Sequence, residues 1–448
     1  MSEPLIPVPG RLHSVATEGH LAGADEIIDE NIGEVQSVIN MRYDQKLDLI
    51  INDIDQSREL IIDKLNDIEE LEHFHYTSYI IDQSNPIGLS ATYIRKNTAS
   101  KDAVKTIEID GEDVYVDVIK RIRENTKLCV GVYDSTNDVL KCKEVSKADR
   151  RLYSDDTQVS IASSDEYDMF MKLPAFYWRC VEADTDVFHV EFSMSDDYVD
   201  DSWHYWDGDT FIGVYKGYVR DSKLYSKPGV TPSVDSYNNY VTYVANRPSG
   251  YSGLKYVSYK IMALLGFGWF NDTDITKFYP VTSASDGKLT GQADQFGIEE
   301  GVNNATNYWG LEEWYNGGKE LIDNIYINNN GCYETLPNGN TRTILDVGRN
   351  DYYGSLNNII LGENADVLPS TKNTFNNTSV LDKGRAYTDY VFVHIADGGT
   401  YRAGKGGNNS TGWQNGLLCI HFGFESTTQN LYSRLQYKGN YEFVESFV

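Results

Sequence analysis

The residues whose types best suit ligand recognition lie near the C-terminal end of the sequence. Residues 404–415 read GKGGNNSTGWQN, in which Trp413 is the one indole among glycine, amide and hydroxyl side chains. Glycine and asparagine favour sharp turns, and the side-chain amides of asparagine and glutamine both donate and accept hydrogen bonds. An exposed indole beside such amides can stack on a sugar face while the amides contact its hydroxyl groups. This composition predicts an exposed, ligand-binding loop.

Buried strands are predicted to hold this loop. An apolar run of strand length follows it, made of Leu417, Leu418, Cys419, Ile420 and Phe422. After a polar connection, the chain returns through Tyr432 and Leu435 towards Tyr441 and Phe443. Trp413 itself has a second interpretation, as a packed core residue, because tryptophan is highly buried on average.

Catalytic and metal-binding motifs have less support. The eight histidines are scattered, with no HExxH sequence and no His/Cys cluster of metal-ligand spacing. The five cysteines are odd in number and form no CxxC pair, which argues against a disulfide framework or a zinc site: Cys129, Cys142, Cys180, Cys332 and Cys419. We predict that they are reduced and mostly buried, and that the protein is not an enzyme and uses no metal or other cofactor.

Carboxylates are numerous enough to conceal two other kinds of site. An acidic run contains Asp196, Asp197, Asp200, Asp201, Asp207 and Asp209. Two carboxylates at a suitable separation would be enough to cleave a glycosidic bond. The triplet Asp207-Gly208-Asp209 offers oxygen ligands for calcium but lacks the further spaced acids of an EF-hand loop. A charge run is more often a solvated face, so we expect neither site.

The net charge of −28 restricts the classes of partner. It repels nucleic acid and anionic membrane surfaces, and no local basic patch offsets it. The longest apolar run, residues 261–270, is too short to span a bilayer, and no basic and then apolar leader opens the sequence. We therefore expect no nucleic-acid binding, no membrane insertion, and folding in a cytoplasm.

Local pattern divides the 448 residues into several parts. Residues 1–30 carry three prolines in the first nine positions and little apolar content, which is typical of an arm that a partner orders. Residues 31–75 predict a long helix, because neither proline nor glycine interrupts them after Gly33.

The apolar spacing of this helix predicts a coiled coil. Leu47, Ile54, Ile61 and Ile68 recur every seven residues, and Ile51 widens the seam. A seam rich in isoleucine favours a coiled coil of three helices, so we predict a homotrimeric stalk. The other interpretation is a surface helix on its own globular part, although charged residues fill most of the remaining positions.

Beyond residue 75 the pattern changes to short alternating segments. Residues 76–164 predict a small β-rich domain, which a looser polar loop near Ser164 separates from the rest. Residues 165–448 show short strands, irregular connections and two predicted helices, at 233–245 and 255–265. The fold class predicted for the chain is therefore α+β with large loops.

Several phrases, in their order along the chain, resemble fibre proteins of phages and prophages of gut bacteria. The string NYWGLEEWYNGGKELIDNI at 307–325 is preceded by DGDTFIGVYKGYV and SKPGV and followed by STGWQNGLLCIHF and SRL. Residues 11–40 are similar to N-terminal segments of structural proteins from such phages. The resemblance covers roughly residues 78–448 and implies that 165–448 form a C-type-lectin-like head, related in plan to the formylglycine-generating enzyme family. We predict that Trp309 and Trp314 are core residues of that head.

The resemblance also implies which residues meet a ligand. In related display proteins, the solvent-facing residues between a glycine pair and a closing Arg-Leu vary to fit a ligand. By position, these are Asn408, Asn409, Ser410, Thr411, Trp413, Gln414, Asn415, His421 and Tyr432. Formylglycine-generating relatives use cysteines near the C terminus, but only Cys419 lies there, inside an apolar strand where a thiol is usually inert.

Together these features predict a trimeric virion fibre that is made in the host bacterial cytoplasm. The arm would attach to a capsid or tail structural protein, and the heads would bind a host-surface glycan or protein, with trimerisation multiplying weak affinities. Two alternatives stay open: a structural head fibre or decoration protein without a strong ligand, and a depolymerase that acts on capsule.

Overall fold

The structure is a computed structural model. It describes residues 46, 51, 56–57, 76–82, 93–96, 106–109, 112–115, 118–159, 166–196, 199–270, 290, 307–314, 318–328, 331–345, 352–355, 361–368, 390–393, 399–406, 420–424 and 431–447. The chain divides into two compact units, Met1–His73 and Phe74–Val448. The second unit begins close to residue 75, where the stalk is predicted to end.

Four residues of the first unit are described, and all four are helical: Lys46, Ile51, Gln56 and Ser57. The predicted arm, residues 1–30, lies outside the described residues. The same holds for the seam positions Leu47, Ile54, Ile61 and Ile68. The trimeric coiled coil therefore stays a prediction.

The unit Phe74–Val448 is mostly β-sheet, with three helices among its described residues, which agrees with the coarse α+β class. The helices are α1 Val118–Asn125, α2 Tyr237–Ala245 and α3 Tyr256–Phe270. The strands of the first half are β1 Tyr76–Asp82, β2 Tyr93–Lys96, β3 Thr106–Ile109, β4 Glu112–Tyr115, β5 Lys127–Asp134, β6 Val139–Val145, β7 Asp168–Lys172, β8 Phe176–Asp184, β9 Val187–Ser193, β10 His204–Trp206, β11 Thr210–Lys216, β12 Tyr218–Arg220 and β13 Lys223–Tyr225. The remaining strands are β14 Tyr251–Gly253, β15 Asn307–Tyr308, β16 Leu311–Glu312, β17 Glu320–Asn328, β18 Gly331–Thr335, β19 Thr341–Leu345, β20 Tyr352–Ser355, β21 Tyr390–Val393, β22 Tyr401–Lys405, β23 Ile420–Phe424, β24 Arg434–Lys438 and β25 Tyr441–Phe443.

Three larger sheets organise these strands. Sheet A has five strands in the order β10-β8-β9-β1-β2, and sheet B has seven in the order β14-β24-β11-β7-β5-β6-β25. Sheet C also has seven, in the order β19-β18-β17-β22-β23-β21-β20. The pairs β3-β4, β12-β13 and β15-β16 form separate two-stranded ribbons.

The predicted domain boundary near Ser164 is wrong. Strands β5 and β6, from before it, lie in sheet B beside β7 and β11, which follow it. Likewise β1 pairs with β9 along its whole length, from Tyr76 opposite Ser193 to Asp82 opposite Val187. A polar loop marks a surface connection but does not record which strands pair across it, so residues 76–164 and 165–448 contribute to the same sheets.

Hairpin tips carry residues that suit their backbone. Asp138 and Asp186 have positive φ angles of 54° and 60° at the ends of the β5–β6 and β8–β9 hairpins. Aspartate enters this left-handed region more readily than most residues with a side chain. Gly339, with φ 81°, occupies the same region at the Pro337-Asn338-Gly339 turn between β18 and β19.

Helix α3 lies at the centre of the core. Residues 258–267 are all buried, so this stretch of the helix is covered on every face. The Tyr79 hydroxyl of β1 donates a hydrogen bond to the Leu264 carbonyl at 2.6 Å. A Cβ added at Gly268 would overlap Ile119 of α1, so the close approach of the two helices requires glycine there. Within the described ranges, none of the helices combines the length and apolar character needed to cross a membrane.

Sheet B is completed by strands from the far end of the sequence. β24 pairs with β11, and β25 pairs with β6 in parallel, placing Tyr441 opposite Leu140 and Phe443 opposite Cys142. The Val444 amide extends this pairing by donating to the Cys142 carbonyl at 2.8 Å.

Candidate functional site

The base of the predicted ligand-binding loop is an antiparallel pair of strands in sheet C. β22 leads into the loop and β23 follows it, with Lys405 opposite Ile420 and Gly404 opposite His421. Seven predicted ligand-binding residues fall between these strands and outside the described residues: Asn408, Asn409, Ser410, Thr411, Trp413, Gln414 and Asn415. Their contact with a ligand stays a prediction, whereas the frame that carries them is described.

The other two predicted ligand-binding residues are buried. His421 is 3% exposed and Tyr432 is 8% exposed, so neither has the solvent-facing position that we expected. His421 lies between Ile420 and Phe422, which are also buried, so both faces of β23 are covered there. Burial, followed by the charge of Lys319, lowers the pKa of His421 to about 3. The imidazole is therefore neutral at physiological pH.

Tyr432 nevertheless lies beside the base of the loop. Its amide donates to the Lys319 carbonyl at 2.8 Å, and its carbonyl accepts from the Leu321 amide at 2.9 Å. The intervening residue, Glu320, is the partner of Lys405 in the β17–β22 ladder. The structure therefore gathers Tyr432 and the start of the loop around Glu320.

A buried ionic group, the anchor cluster, surrounds this point and consists of Lys216, Glu320, Lys405 and Arg434. Arg434 donates two hydrogen bonds of 2.7 Å to Glu320, from Nε and Nη2 to the two carboxylate oxygens. Its remaining donors reach three carbonyls at 2.7–2.8 Å, those of Gly213, Val214 and Glu312. All five N–H groups of the guanidinium are thus used, which is the condition for burying that charge.

Lys405 joins the cluster from the last position of β22. Its Nζ lies 3.2 Å from Glu320 Oε2 and donates a hydrogen bond to the Trp314 carbonyl. The same ammonium lies 3.8 Å from the centre of the Trp314 ring, within the range of a favourable cation–π contact. Trp309 and Trp314 are buried, which confirms the prediction that both are core residues.

The charges of the anchor cluster shift the pKa values of its own members. Burial raises the pKa of Glu320, but the positive charges of Arg434 and Lys405 outweigh it and hold that pKa at about 2. Burial lowers the pKa of Lys405 to about 7 against the attraction of Glu320, and the repulsion of Arg434 and Lys216 adds to the shift. Glu320 is therefore ionised, and Lys405 titrates near neutral pH.

The anchor cluster also links two sheets. Lys216 and Arg434 come from β11 and β24 of sheet B, whereas Glu320 and Lys405 come from β17 and β22 of sheet C. Since each bond is buried and directional, the strand that leads into the loop has a fixed position relative to both sheets. Binding loops on such rigid frames lose less freedom when they meet a ligand.

A row of aromatic rings stiffens the other side of β22. Tyr326 lies opposite both Tyr333 and Arg402, and the two tyrosine rings stack with centroids 5.5 Å apart. The Arg402 guanidinium lies 4.0 Å from the Tyr237 ring centre and 5.3 Å from that of Tyr326. This places a cation between helix α2 and strand β17, directly before the strand residues that reach the anchor cluster.

Groups that could support catalysis or metal binding have other surroundings. The four cysteines of the described residues are buried and free, and burial raises the pKa of Cys180 to about 12, which suppresses the thiolate. Among the described residues, no group of three or more His, Cys, Asp and Glu side chains has the arrangement of a metal site.

The acidic run is engaged in turns and ion pairs where it is described. Asp207 accepts from the Asp209 amide at 3.0 Å and pairs with Lys438, while Asp209 accepts from the Tyr441 hydroxyl at 3.1 Å. Asp200 accepts from the Ser202 amide at 2.8 Å. These contacts give Asp200, Asp207 and Asp209 structural roles.

The anchor cluster was missed by the sequence reasoning. Glu320 and Arg434 stand in KELIDNI and SRLQY, where a charge interrupts apolar strand residues. A charge within an apolar strand is the one sequence signal that could have indicated a buried ion pair. Nothing local indicates that residues so far apart in sequence meet.

No protein-family model matches the sequence, and no curated protein matches it. The phage-fibre resemblance consequently rests on the sequence phrases alone.

Proposed function

We propose that the protein is a non-enzymatic virion fibre of a bacteriophage that binds a host cell-surface glycan or protein through its C-terminal loop. In this proposal, residues 1–30 attach to a capsid or tail structural protein and residues 31–75 form a trimeric coiled coil. The remainder forms the head, with a C-type-lectin-like plan. The chain is made in the host cytoplasm and acts as part of the virion.

One observation carries the proposal. The loop that contains Trp413 and its neighbouring amides begins at Lys405, the residue that anchors β22 to Glu320 and Trp314. A polar, aromatic loop on a rigid buried frame is the usual arrangement of a binding site that varies its loop and keeps its scaffold.

Trimerisation makes weak contacts sufficient. Three heads on one stalk convert later binding events into intramolecular ones, so avidity exceeds single-head affinity by about 10²–10⁴ when the geometry allows simultaneous contact. A loop of amides and one indole suits a single site of modest affinity. The proposal therefore expects cell binding by the full-length chain to be far stronger than binding of one head to a soluble ligand.

The experiment is binding of the full-length, fluorescently labelled chain to a panel of gut bacterial strains. We expect binding to at least one strain, and Trp413→Ala should reduce it at least tenfold while leaving the thermal transition of the protein nearly unchanged. Val241→Ala is the control, because it truncates an exposed apolar side chain of the same unit outside the loop.

Other outcomes favour the alternatives. Absence of binding to every strain would favour a structural decoration protein. Release of new reducing ends from purified capsule would indicate a depolymerase. A large fall in the thermal transition of Trp413→Ala would show that the indole is a core residue and would remove it from the site.

A further inference from the structure

Two tyrosine rings are in tilted contact at the edge of sheet A. Tyr205 of β10 lies directly opposite Tyr177 of β8, and the ring centroids are 4.8 Å apart with an interplanar angle of 36°. Among the strands that the structure describes, β10 is the edge strand of the sheet, and the pair has a neighbouring strand on one side only. Tyr205 is 58% exposed, the most exposed of the large hydrophobic side chains in the described part of the chain.

The opposite face of the same two strands is already filled. Phe176 stacks on Trp206 with centroids 6.2 Å apart, and Trp178 stacks on His204 with centroids 4.3 Å apart. Because side chains alternate along a strand, the core uses these residues and leaves Tyr177 and Tyr205 on the outer face. The tyrosine pair is therefore additional to the core, and it exposes aromatic surface that the fold does not need.

Polar groups of fixed geometry border the pair. Arg179 follows Tyr177 on the same face of β8, and its Nη1 donates to Ser202 Oγ at 3.1 Å and lies 3.6 Å from Asp200. Its Nε donates to Glu191 at 2.5 Å, and its guanidinium stacks at 4.5 Å on the ring of Trp203. Because these contacts hold the Arg179 side chain, it stays beside the two tyrosine rings and does not cover them.

The charge around the pair selects the kind of ligand. Burial, then the neighbouring Tyr177 and the negative charges of Asp207 and Asp209, raise the pKa of Tyr205. An anionic ligand would meet the same repulsion, which the net charge of −28 reinforces. An uncharged sugar meets none, since its C–H face stacks on aromatic rings and its hydroxyl groups bond with carboxylates and guanidinium groups.

We propose that Tyr177 and Tyr205 form a binding surface for an uncharged carbohydrate, with Arg179 and Asp200 at its rim. The surface belongs to sheet A, whereas the loop that contains Trp413 extends from sheet C. It does not depend on the loop being a receptor site.

The test is native affinity electrophoresis of the full-length chain through gels that contain one polysaccharide each. The neutral probes are dextran, mannan, galactan and xylan, and polygalacturonate is the anionic probe. We expect at least one neutral probe to retard the chain and polygalacturonate to leave its mobility unchanged. Tyr205→Ala and Tyr177→Ala should each weaken retardation about three- to tenfold, the size expected for one aromatic contact.

Two controls make the result specific. Val181→Ala truncates a side chain that is 40% exposed on the same face of β8, and it should retain full retardation. Tyr205→Phe keeps the ring and should retain most of it. Near-ultraviolet circular dichroism reports folding, and if Tyr177→Ala alters the spectrum, the exposed Tyr205→Ala decides the question.

Several results would overturn the proposal. These are no retardation by any neutral probe, retardation by polygalacturonate alone, or unchanged retardation in the tyrosine variants. Retardation that is lost in Trp413→Ala but kept in both tyrosine variants would assign carbohydrate binding to the loop. That last result would support the proposed receptor function while removing the sheet A site, so the two proposals fail separately.

Discussion

Arg434 and Glu320 form a two-point ion pair in which both side chains are at most 1% exposed. They belong to different sheets, and the base of the predicted binding loop lies at Lys405, which shares the same carboxylate. A buried pair of this kind adds little net stability over an apolar replacement. Loss of one partner, however, lowers stability strongly, because it leaves an unpaired charge in the interior. We therefore interpret the pair as fixing the position of sheet B relative to sheet C rather than as a source of stability.

Glu320→Gln should destabilise the protein strongly. The amide keeps the shape of the side chain but leaves Arg434 and Lys405 without their negative charge, so we expect the free energy of unfolding to fall by about 3–5 kcal/mol. Urea unfolding at pH 7, followed by tryptophan fluorescence, measures it. Glu124→Gln is the control, since it removes the carboxylate of an exposed helical pair with Lys120 and should change stability by less than about 0.5 kcal/mol. Similar losses in the two variants would mean that the cluster is not a special anchor.

Lys405 should make stability depend on pH above neutrality. Its pKa is about 7 in the folded protein and 10.5 in the unfolded chain, so between these values the unfolded chain binds more protons. The free energy of unfolding attributable to Lys405 therefore rises with pH from 7 towards 10, by at most about 1.4 kcal/mol per pH unit, and does not change below pH 7.

Comparison with Lys405→Met isolates this effect. Burial raises the pKa of tyrosines such as Tyr240 and Tyr251, which lowers stability as pH rises, but this contribution is the same in both proteins. Urea unfolding at pH 7, 8 and 9 should show the wild type gaining stability relative to Lys405→Met. Lys438→Met, which removes an exposed lysine, controls for the loss of a lysine as such. Parallel pH profiles of the wild type and Lys405→Met would rule out a shifted Lys405.

Gly268→Ala should strain the contact between α1 and α3. The new methyl group would overlap Ile119 Cδ1 and crowd the Tyr79 ring, so we expect a loss of about 1–3 kcal/mol in thermal or urea unfolding. Ile119→Val removes the Cδ1 atom itself. The double variant should therefore lose less than the sum of the two single losses, and a fully additive result would show that the helices do not meet closely at this point.

The predicted coiled coil has a direct test in solution. Replacing both Ile54 and Ile61 with Asp places unpaired charges in the seam and should convert trimers to monomers in sedimentation equilibrium. Gln56→Asp, at an exposed helical position, adds charge outside the predicted seam and should leave the trimer intact. A double aspartate variant that still sediments as an oligomer would locate the assembly contact elsewhere.

Local sequence signals predicted local structure well. The run of residues 255–265 predicted a helix, which the structure extends to Phe270 because tertiary packing accommodates Gly266 and Gly268 within it. Hairpins formed where turn residues separate alternating segments, as at Asn137-Asp138. The boundary at Ser164 failed for the opposite reason, since strand pairing between distant segments leaves no local trace.

The candidate site was predictable only in part. Glycine, asparagine and the indole of Trp413 marked a loop, and the apolar run after it marked β23. His421 was misplaced because its position between the glycine pair and the closing Arg-Leu was taken, from the resemblance, to imply a solvent-facing side chain, although the sheet is covered on both sides there. The anchor cluster was not predictable, because its members come from β11, β17 and β24 as well as β22. Only the complete topology brings these strands together.

The parallel pairing of β25 with β6 has a consequence for synthesis. Sheet B draws β5 and β6 from near the start of its unit, and β24 and β25 from residues 434–443. A ribosome therefore releases β25 only after the residues that separate it from β6 have been translated. Until then β6 lacks this partner at Leu140 and Cys142, and an unpaired strand edge is a place where nascent chains can pair with each other.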